Sequence, residues 1–372
     1  RQMCIRDSDN NLSQASYLVG CQRTGEAIII DPVRDLTKYM EVADSEGFTI
    51  TQAAETHIHA DFASGIRDVA EQLNANVYVS GEGDDELSYR NMPEQTHFVK
   101  HQDIIHVGNI KLEVLHTPGH TPESISFLLT DEGGGSSVPM GLFSGDFVFV
   151  GDIGRPDLLE KSVQMEGSTE VSAKQMYQSI ESVKDLPDYI QIWPGHGAGS
   201  PCGKALGAVP MSTLGYEKIN NWAFNVTDES KFVETLTSNQ PAPPHHFAQM
   251  KKINQFGMNM YQPYDVFPSL DNARIAFDLR SKEAFHGGHT EGTINIPYNQ
   301  NFINQIGWYL DYENSIDLIG DKSTVEQAAH TLQLIGFDNV AGYRLPKSEI
   351  LTQSIHSVDM TCLLYTSDAA DE

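Results

Sequence analysis

Residues 56–62 read Thr-His-Ile-His-Ala-Asp-Phe and directly follow the apolar run ITQAAE at 50–55. Such a run is typical of a strand, and the two histidines stand two positions apart where a helical pattern takes over. Neutral imidazole is a strong metal ligand, and a loop allows both rings to turn towards one ion. The segment therefore indicates a metal site at the end of a strand.

Three further polar residues follow later apolar runs in the same way. His120 lies in HTPGHTPES after KLEVLH, Asp146 lies in the SGD turn, and His196 lies in WPGHG after YIQIW. A lone histidine is usually a surface or core residue. Because these residues recur in order at successive strand ends, we interpret them as parts of one metal centre.

The spacing of apolar residues predicts an α/β chain of two domains. In the first domain we expect strands at 27–31, 77–81, 111–116, 124–129, 141–150 and 189–193, and helices at 36–47, 63–76 and 172–186. In the second we expect strands at 274–279, 317–320 and 339–343 and a helix at 324–334. The proposed boundaries are 9–247, a linker over 248–263, and 264–345. The Pro-rich segment SNQPAPPHH at 238–246 is interpreted as a linker or as an ordered wrap, and the second pattern begins after it.

The motifs H-x-H-x-D, T-P-G-H-T, S-G-D and P-G-H, in this order, resemble the metallo-β-lactamase superfamily over about residues 13–247. The resemblance implies an αββα sandwich, in which two mixed sheets face each other between helices and the metal lies at the sheet edges. Family members with two zinc ions carry a histidine directly after the aspartate of the first motif. This chain has Phe62 there, which cannot bind a metal.

Longer segments are similar to the persulfide dioxygenases that are fused to rhodanese domains: ETHIHADFASG, LHTPGHTPESISFLL, LFSGDFVFVGDIGRPDL and WPGHGAGSPCGKALG. The resemblance implies that His57, His120 and Asp146 hold one Fe(II) per chain, since two imidazoles and a carboxylate leave positions open for substrate and O₂. It also implies three residues that orient these ligands through hydrogen bonds, namely His59, Asp61 and His196.

The activity implied is oxidation of a low-molecular-weight thiol persulfide by O₂ to sulfite and free thiol, in sulfide detoxification. Arg155 is a candidate clamp for an anionic part of the substrate, and the alternative is a structural ion pair with Asp152 or Asp157. Cys202 lies in a Gly-rich loop and is expected to handle the persulfide, with Lys204 lowering its pKa. The alternative for Cys202 is a small buried residue that only packs.

Two other classes of function remain open at this stage. A zinc-dependent thioester hydrolase of glyoxalase II type would use a metal-bound hydroxide, and a metal-free sulfur carrier or docking protein would use no metal. The intact set of ligands makes the last class the weakest. The sequence leaves the thiol carrier open between glutathione, coenzyme A and another small thiol, and it also leaves a homo-oligomer open.

The second domain has the sequence FDLRSKEAFHGGHTEGTINIPYN at 277–299, which resembles the rhodanese signature. The resemblance implies a small three-layer α/β/α domain. Active rhodaneses carry a cysteine after the next strand, where this chain has Asp321 and Lys322, and there is no cysteine between Cys202 and Cys362. We therefore expect this domain to support the dioxygenase or to dock a further domain, without transferring sulfur itself. The resemblance also implies that a second rhodanese domain with a cysteine can follow, and we expect it to be missing from this sequence.

Composition excludes several partners. The net charge of −27, without a basic run, argues against nucleic acid and anionic membranes, and no apolar stretch reaches the length of a membrane span. The scattered cysteines suit a reducing compartment, so we expect a cytoplasmic protein. Residues 1–8 and 362–372 read like translated sequencing-adapter DNA and are interpreted as non-native.

Overall fold

The computed structural model describes residues 2–9, 12, 14–83, 87–158, 160, 167–198, 200–204, 206–263, 265–268, 274–346 and 353–354. The chain divides into two compact units. The first comprises 1–262 with 334–336, and the second comprises 263–333 with 337–372. Each unit has its own sheet structure and is described by itself.

Two six-stranded sheets form the centre of the first unit. One sheet has the order β1-β2-β3-β4-β5-β6 and the other the order β12-β11-β10-β9-β8-β7. The strands are β1 Gln2–Asp9, β2 Gln14–Cys21, β3 Glu26–Ile30, β4 Thr49–Ala54, β5 Asn76–Ser80, β6 Thr96–Val99, β7 Ile104–Val107, β8 Ile110–His116, β9 Ile125–Asp131, β10 Gly141–Gly145, β11 Gln191–Pro194 and β12 Ser212–Thr213.

One apolar cluster joins the two sheets face to face. It takes Tyr17 and Ile28 from the first sheet and Phe127, Phe143 and Trp193 from the second, all of them buried. Alternation along each strand directs one set of side chains into this layer. The two sheets therefore stack as a sandwich, as the resemblance implied, and the fold is of the mixed α/β class.

Helices cover the outer faces of the sheets. Those of the first unit are α1 Thr37–Glu46, α2 Ile66–Leu73, α3 Ser168–Val183, α4 Leu214–Asn220, α5 Trp222–Asn225, α6 Glu229–Thr237 and α7 His246–Phe256, and a 3₁₀ turn spans Glu132–Gly134. A second apolar cluster buries Met176 and Ile180 of α3 and Phe232 of α6 against Leu142 and Ile192 of the second sheet. In the described part of the chain, no helix is both long and apolar enough to cross a membrane.

The strand predicted at 141–150 is shorter than expected and ends at Gly145. Gly145 has a positive φ of 49°, and a Cβ there would lie 2.5 Å from Oγ1 of Thr56. The next residues form a turn in which the amide of Phe147 donates to the carbonyl of Ser144. Because the strand stops here, Asp146 lies at a strand end instead of inside a sheet.

The interpretation of 248–263 as a linker is wrong, because most of it belongs to helix α7, which is part of the first unit. The helix buries Phe247, Met250, Lys251 and Asn254, which are spaced three and four residues apart along one face. Nδ2 of Asn254 donates to the carbonyls of two residues of the 56–62 segment, and its Oδ1 accepts from the amide of Ser64. Helix α7 therefore holds the loop that carries the H-x-H-x-D motif.

The second unit contains a four-stranded parallel sheet with the order β14-β13-β15-β16. Its elements are β13 Ala276–Asp278, α8 Lys282–Gly287, β14 Ile294–Asn295, α9 Phe302–Ile306, β15 Ile316–Ile319, α10 Lys322–Leu334 and β16 Val340–Arg344. Asp321 accepts hydrogen bonds from the amide and hydroxyl of Thr324 at the start of α10, so this position carries an ordinary helix cap.

The described residues include only part of the two chain ends and of the predicted boundary at 264 between linker and second domain. Residues 2–9 pair antiparallel with β2, whereas residue 1 and the segment 362–372 lie outside the described residues, as does position 264. The non-native origin of 1–8 and 362–372 therefore stays a prediction.

Candidate metal centre

Three ligand atoms from three separate motifs converge at one edge of the sandwich. His57 follows β4, His120 follows β8, and Asp146 follows β10. One ligand atom from each lies within 4.8 Å of the other two, and all three residues are buried. Oδ2 of Asp146 is 3.9 Å from Nε2 of His57 and 3.5 Å from Nε2 of His120. This is a metal-binding site built from histidine and aspartate.

The orientation of both imidazoles is set by oxygen atoms behind them. Nδ1 of His57 is 3.0 Å from Oγ1 of Thr56, which donates its own proton to Asp31, and Nδ1 of His120 donates to the carbonyl of Arg155 at 2.9 Å. Both rings therefore carry the proton on Nδ1 and turn Nε2 inward. These two Nε2 atoms are buried and accept no hydrogen bond among the described residues. A buried acceptor of this kind fits a metal ion.

The pKa values of His57, His120 and Asp146 favour the protonation states in which these side chains can bind a metal cation. Burial lowers the pKa of His57 well below its usual range and that of His120 to about 4, so both rings are neutral at pH 7. Burial opposes ionisation of Asp146, but the positive charge of His196 holds the pKa of that carboxyl well below its usual range. Two neutral imidazoles and one carboxylate result.

Two neighbouring histidines have raised pKa values, in contrast to His57 and His120. Burial disfavours their charge, but Asp31 raises the pKa of His59 to about 8, and Asp146 and Asp61 raise the pKa of His196 well above its usual range. Nε2 of His59 is 3.2 Å from Oδ1 of Asp31, and Nε2 of His196 is 3.3 Å from both Asp61 and Asp146. His59 therefore binds the carboxylate of Asp31, and His196 binds the carboxylates of Asp61 and Asp146.

A second group of possible ligands lies beside the first: one ligand atom each from Asp61, His196 and Cys202 lies within 4.8 Å of the others. The sequence placed Asp61 and His196 near the metal and indicated that a second site lacks a nitrogen at Phe62, but it did not indicate that Cys202 joins them. Phe62 is fully buried, with its ring centroid 4.4 Å from that of His59. The phenylalanine therefore contributes packing, while a thiol stands near the remaining carboxylate and imidazole.

Cys202 lies near the centre, but its predicted activation by Lys204 is wrong. Burial raises the pKa of the Cys202 thiol to about 12. Nζ of Lys204 donates to the carbonyls of Thr235 and Ser238 and is partly exposed. Burial thus favours the thiol over the reactive thiolate that the loop composition suggested, and a role of Cys202 in handling substrate stays a prediction.

Arg155 adopts the second of the two roles considered for it. Its side chain is 0 % exposed, and its Nε and Nη2 donate to Oδ1 and Oδ2 of Asp157, each at 2.7 Å. The guanidinium also donates to the carbonyls of Pro201 and Pro241. Every guanidinium nitrogen is thus committed to a protein oxygen, which corrects the expectation that Arg155 clamps the substrate. What it contributes to the site is its carbonyl, which holds His120.

Three residues that support the site were missed from the sequence: Asp31, Thr56 and Lys251. Asp31 could have been found, because it is the last residue of the strand predicted at 27–31, at the strand end where other site residues stand. Its φ of 52° lies in the left-handed region, and its Oδ1 accepts from the amide of Thr56 at 2.7 Å. Lys251 had no such signal, because it lies on a helix far along the chain.

Replacing Thr56 with Val is expected to weaken metal binding about 10- to 100-fold, the range found when a partner behind a ligand is removed. The change keeps the shape of the side chain but removes the hydroxyl that links Asp31 to Nδ1 of His57. Competition with a chromophoric chelator measures the affinity. Thr56→Ser is the matched control, since it keeps the hydroxyl. Equal affinities for all three proteins would contradict the proposed orientation of His57.

Comparison with known proteins agrees with this geometry. The Metallo-beta-lactamase superfamily model matches residues 9–196. The crystal structure of a metallo-beta-lactamase from Staphylococcus aureus subsp. aureus COL is 71% identical with a TM-score of 0.89, covering 93% of this chain and 99% of that chain. ETHE1 from Myxococcus xanthus is 26% identical with a TM-score of 0.54, covering 68% of this chain and 98% of that chain.

A curated relative, hydroxyacylglutathione hydrolase of Dictyostelium discoideum, is 29% identical over 252 residues, which are 66% of this chain and 82% of that protein. The family match covers half of this chain and contains His57, His120, Asp146 and His196 in the order in which they meet at the sheet edge. The chain therefore belongs to the metallo-beta-lactamase superfamily.

Proposed function

We propose that this chain is an iron-dependent persulfide dioxygenase that binds one Fe(II) through His57, His120 and Asp146. The observation that carries the proposal is the meeting of two neutral, inward-turned imidazoles with one carboxylate. This donor set is the facial triad that suits non-haem Fe(II) and leaves other positions open. Phe62, in place of the histidine of two-zinc relatives, removes one nitrogen from a second site.

The reaction would convert R–S–S⁻, O₂ and H₂O into R–SH, sulfite and one proton. The outer sulfur loses four electrons, O₂ accepts them, and the S–S bond breaks so that the inner sulfur leaves as thiol. Bound Fe(II) would supply the redox chemistry with O₂ that zinc lacks.

The protein's own groups would orient the reactants and hold the nearby charges in this reaction. Thr56 and the carbonyl of Arg155 fix the imidazoles, while His196 holds the carboxylates of Asp146 and Asp61 in place. All of these groups are buried, so bulk water is kept from the ligand atoms.

The similarity to ETHE1, a persulfide dioxygenase, at 26% identity and a TM-score of 0.54, supports this proposal. The second unit is proposed to be rhodanese-like and inactive in sulfur transfer, because Asp321 stands where an active rhodanese has its cysteine.

The second candidate is a zinc-dependent thioester hydrolase of glyoxalase II type. Two observations favour it: the hydroxyacylglutathione hydrolase relative, and the second ligand group formed by Asp61, His196 and Cys202. The two ligand groups would hold zinc in this case, and the bound metal would supply a hydroxide nucleophile for thioester hydrolysis. Metal content and oxygen uptake separate this candidate from the dioxygenase.

The deciding experiment measures metal content, oxygen consumption and thioester hydrolysis on the same protein. We expect about one iron per chain and oxygen uptake with glutathione persulfide or coenzyme A persulfide that matches the sulfite formed. Two zinc ions per chain, together with hydrolysis of S-lactoylglutathione and no oxygen uptake, would replace the dioxygenase by the hydrolase.

A further inference from the structure

A buried lysine of helix α7 lies next to the metal-binding loop. Lys251 is 5% exposed, although lysine is among the residues that are almost never buried without a partner. It stands beyond the residues that the family model matches, 9–196. A buried ammonium calls for an explanation, because removing a charge from water costs free energy that neighbouring groups must offset.

Packing of helix α7 brings this side chain to the loop. Nζ of Lys251 donates to the carbonyl of Ile58, the residue between His57 and His59, and Oε1 of Glu123 accepts from the amide of Ile58 at 2.9 Å. The loop is therefore held on both sides of one residue. Three residues away on the same helix face, Asn254 binds the following part of the loop, so the position of Lys251 is well defined.

The charge of Lys251 acts on the metal-binding residues. Burial lowers its pKa, while Glu123, Asp146, Cys202 and Asp61 oppose that effect, in this order. In turn, its positive charge contributes to the low pKa of both His57 and His120. The hydrogen bond to the carbonyl of Ile58, the residue directly after His57, places the ammonium next to the metal-binding loop.

Lys251 also has donor capacity to spare. An ammonium group has three N–H donors, and among the described residues the structure gives it one acceptor, the carbonyl of Ile58. Arg155, the cation that the sequence suggested for substrate binding, has committed all of its nitrogens to protein oxygens. Of these two cations, Arg155 is already paired with the carboxylate of Asp157, whereas Lys251 keeps two of its three N–H donors for an incoming anion.

We propose that Lys251 is the residue that binds the anionic end of the substrate at the metal centre. The inference rests on the proposed function, in which that end is the terminal sulfur of a persulfide and later the oxygen atoms of sulfite. A compact ammonium suits a single sulfur anion, whereas the flat fork of arginine suits a carboxylate or phosphate. The residue would therefore determine specificity for anionic over neutral sulfur compounds.

The test compares Lys251→Met and Lys251→Gln with Lys252→Met, which changes the exposed lysine next to it on the same helix. Glutamine removes the charge but keeps an amide donor for the carbonyl of Ile58, so it protects the loop if methionine disturbs it. We expect both Lys251 variants to raise KM for persulfide about 10- to 100-fold, as loss of a charge-assisted hydrogen bond does, with a smaller change in kcat. Lys252→Met should behave as the wild type.

A second measurement does not depend on turnover. Zinc-loaded protein, without oxygen, is titrated with sulfite in a calorimeter, and the bound zinc of each variant is measured in parallel. We expect both Lys251 variants to keep their zinc and to bind sulfite about 10- to 100-fold more weakly than wild type and Lys252→Met. Sulfite affinity equal to wild type in Lys251→Gln, or a loss of zinc that accounts for all weakening, would overturn the assignment.

These two readouts separate the inference from the proposed function. If the wild type consumes no oxygen with persulfides but the Lys251 variants bind sulfite weakly, the dioxygenase proposal fails and Lys251 remains the anion-binding residue. If oxygen uptake is present and both Lys251 variants match the wild type in KM and sulfite affinity, the dioxygenase stands and the role of Lys251 is rejected.

Discussion

Replacing Asp146 with Asn is expected to abolish oxygen uptake and to lower metal affinity by more than the roughly 10- to 100-fold effect of losing a supporting partner. Its carboxylate lies 3.5 Å from Nε2 of His120 and 3.9 Å from Nε2 of His57, and it is the negative charge of this ligand group. A neutral amide is a far weaker ligand for a divalent cation. His196, whose pKa Asp146 helps to raise, would also lose part of the charge that it faces.

The fold should survive this change, because the turn around Asp146 depends on backbone and Ser144 contacts. The amide of Phe147 donates to the carbonyl of Ser144, and Oγ of Ser144 donates to the carbonyl of Val148 at 2.7 Å. Circular dichroism, metal analysis and an oxygen electrode measure the three quantities. Asp188→Asn, in an exposed ion pair with Lys218, is the matched control. Normal metal content and turnover in Asp146→Asn would mean that another carboxylate binds the metal.

Replacing Asp157 with Asn is expected to lower the free energy of unfolding by about 3 to 5 kcal/mol, as the removal of one partner from a buried ion pair does. The guanidinium of Arg155 is 0 % exposed and would keep its charge after the negative charge of its partner is removed. Asparagine offers one oxygen and a competing donor where Nε and Nη2 now find two acceptors at 2.7 Å. A buried charge without a full counter-charge results.

Denaturant unfolding of the metal-free proteins measures this effect. Glu170→Gln is the control for the same chemical change in an exposed ion pair, with Lys174, and should leave stability unchanged within error. Because the carbonyl of Arg155 holds Nδ1 of His120, we also expect Asp157→Asn to weaken metal binding. A variant as stable as the wild type would show that the carbonyls of Pro201 and Pro241 suffice for Arg155.

Local patterns identified the residues of the metal-binding group but not all of their surroundings. His57, His120 and Asp146 each follow a strand within a short motif, so their type and order could be read along the chain, and the sandwich brings the strand ends together. The residues at which strands end could be predicted less well from the sequence. The run at 141–150 is apolar throughout, and its interruption at Gly145 depends on the close approach of Thr56, 89 residues earlier in the chain.

The sequence by itself determined the fold family, the candidate ligand residues and the presence of a phenylalanine without ligand atoms at position 62, because each of these depends on residue type within a few positions. The tertiary structure decided which charged groups face the centre. Arg155 is paired by Asp157 and by carbonyls 46 and 86 residues away, whereas Lys251 reaches Ile58 across 193 residues. The pKa of Cys202 rises because other parts of the chain bury it, despite the nearby Lys204. Burial and long-range pairing set charge and reactivity, and both come into existence only when distant segments pack together.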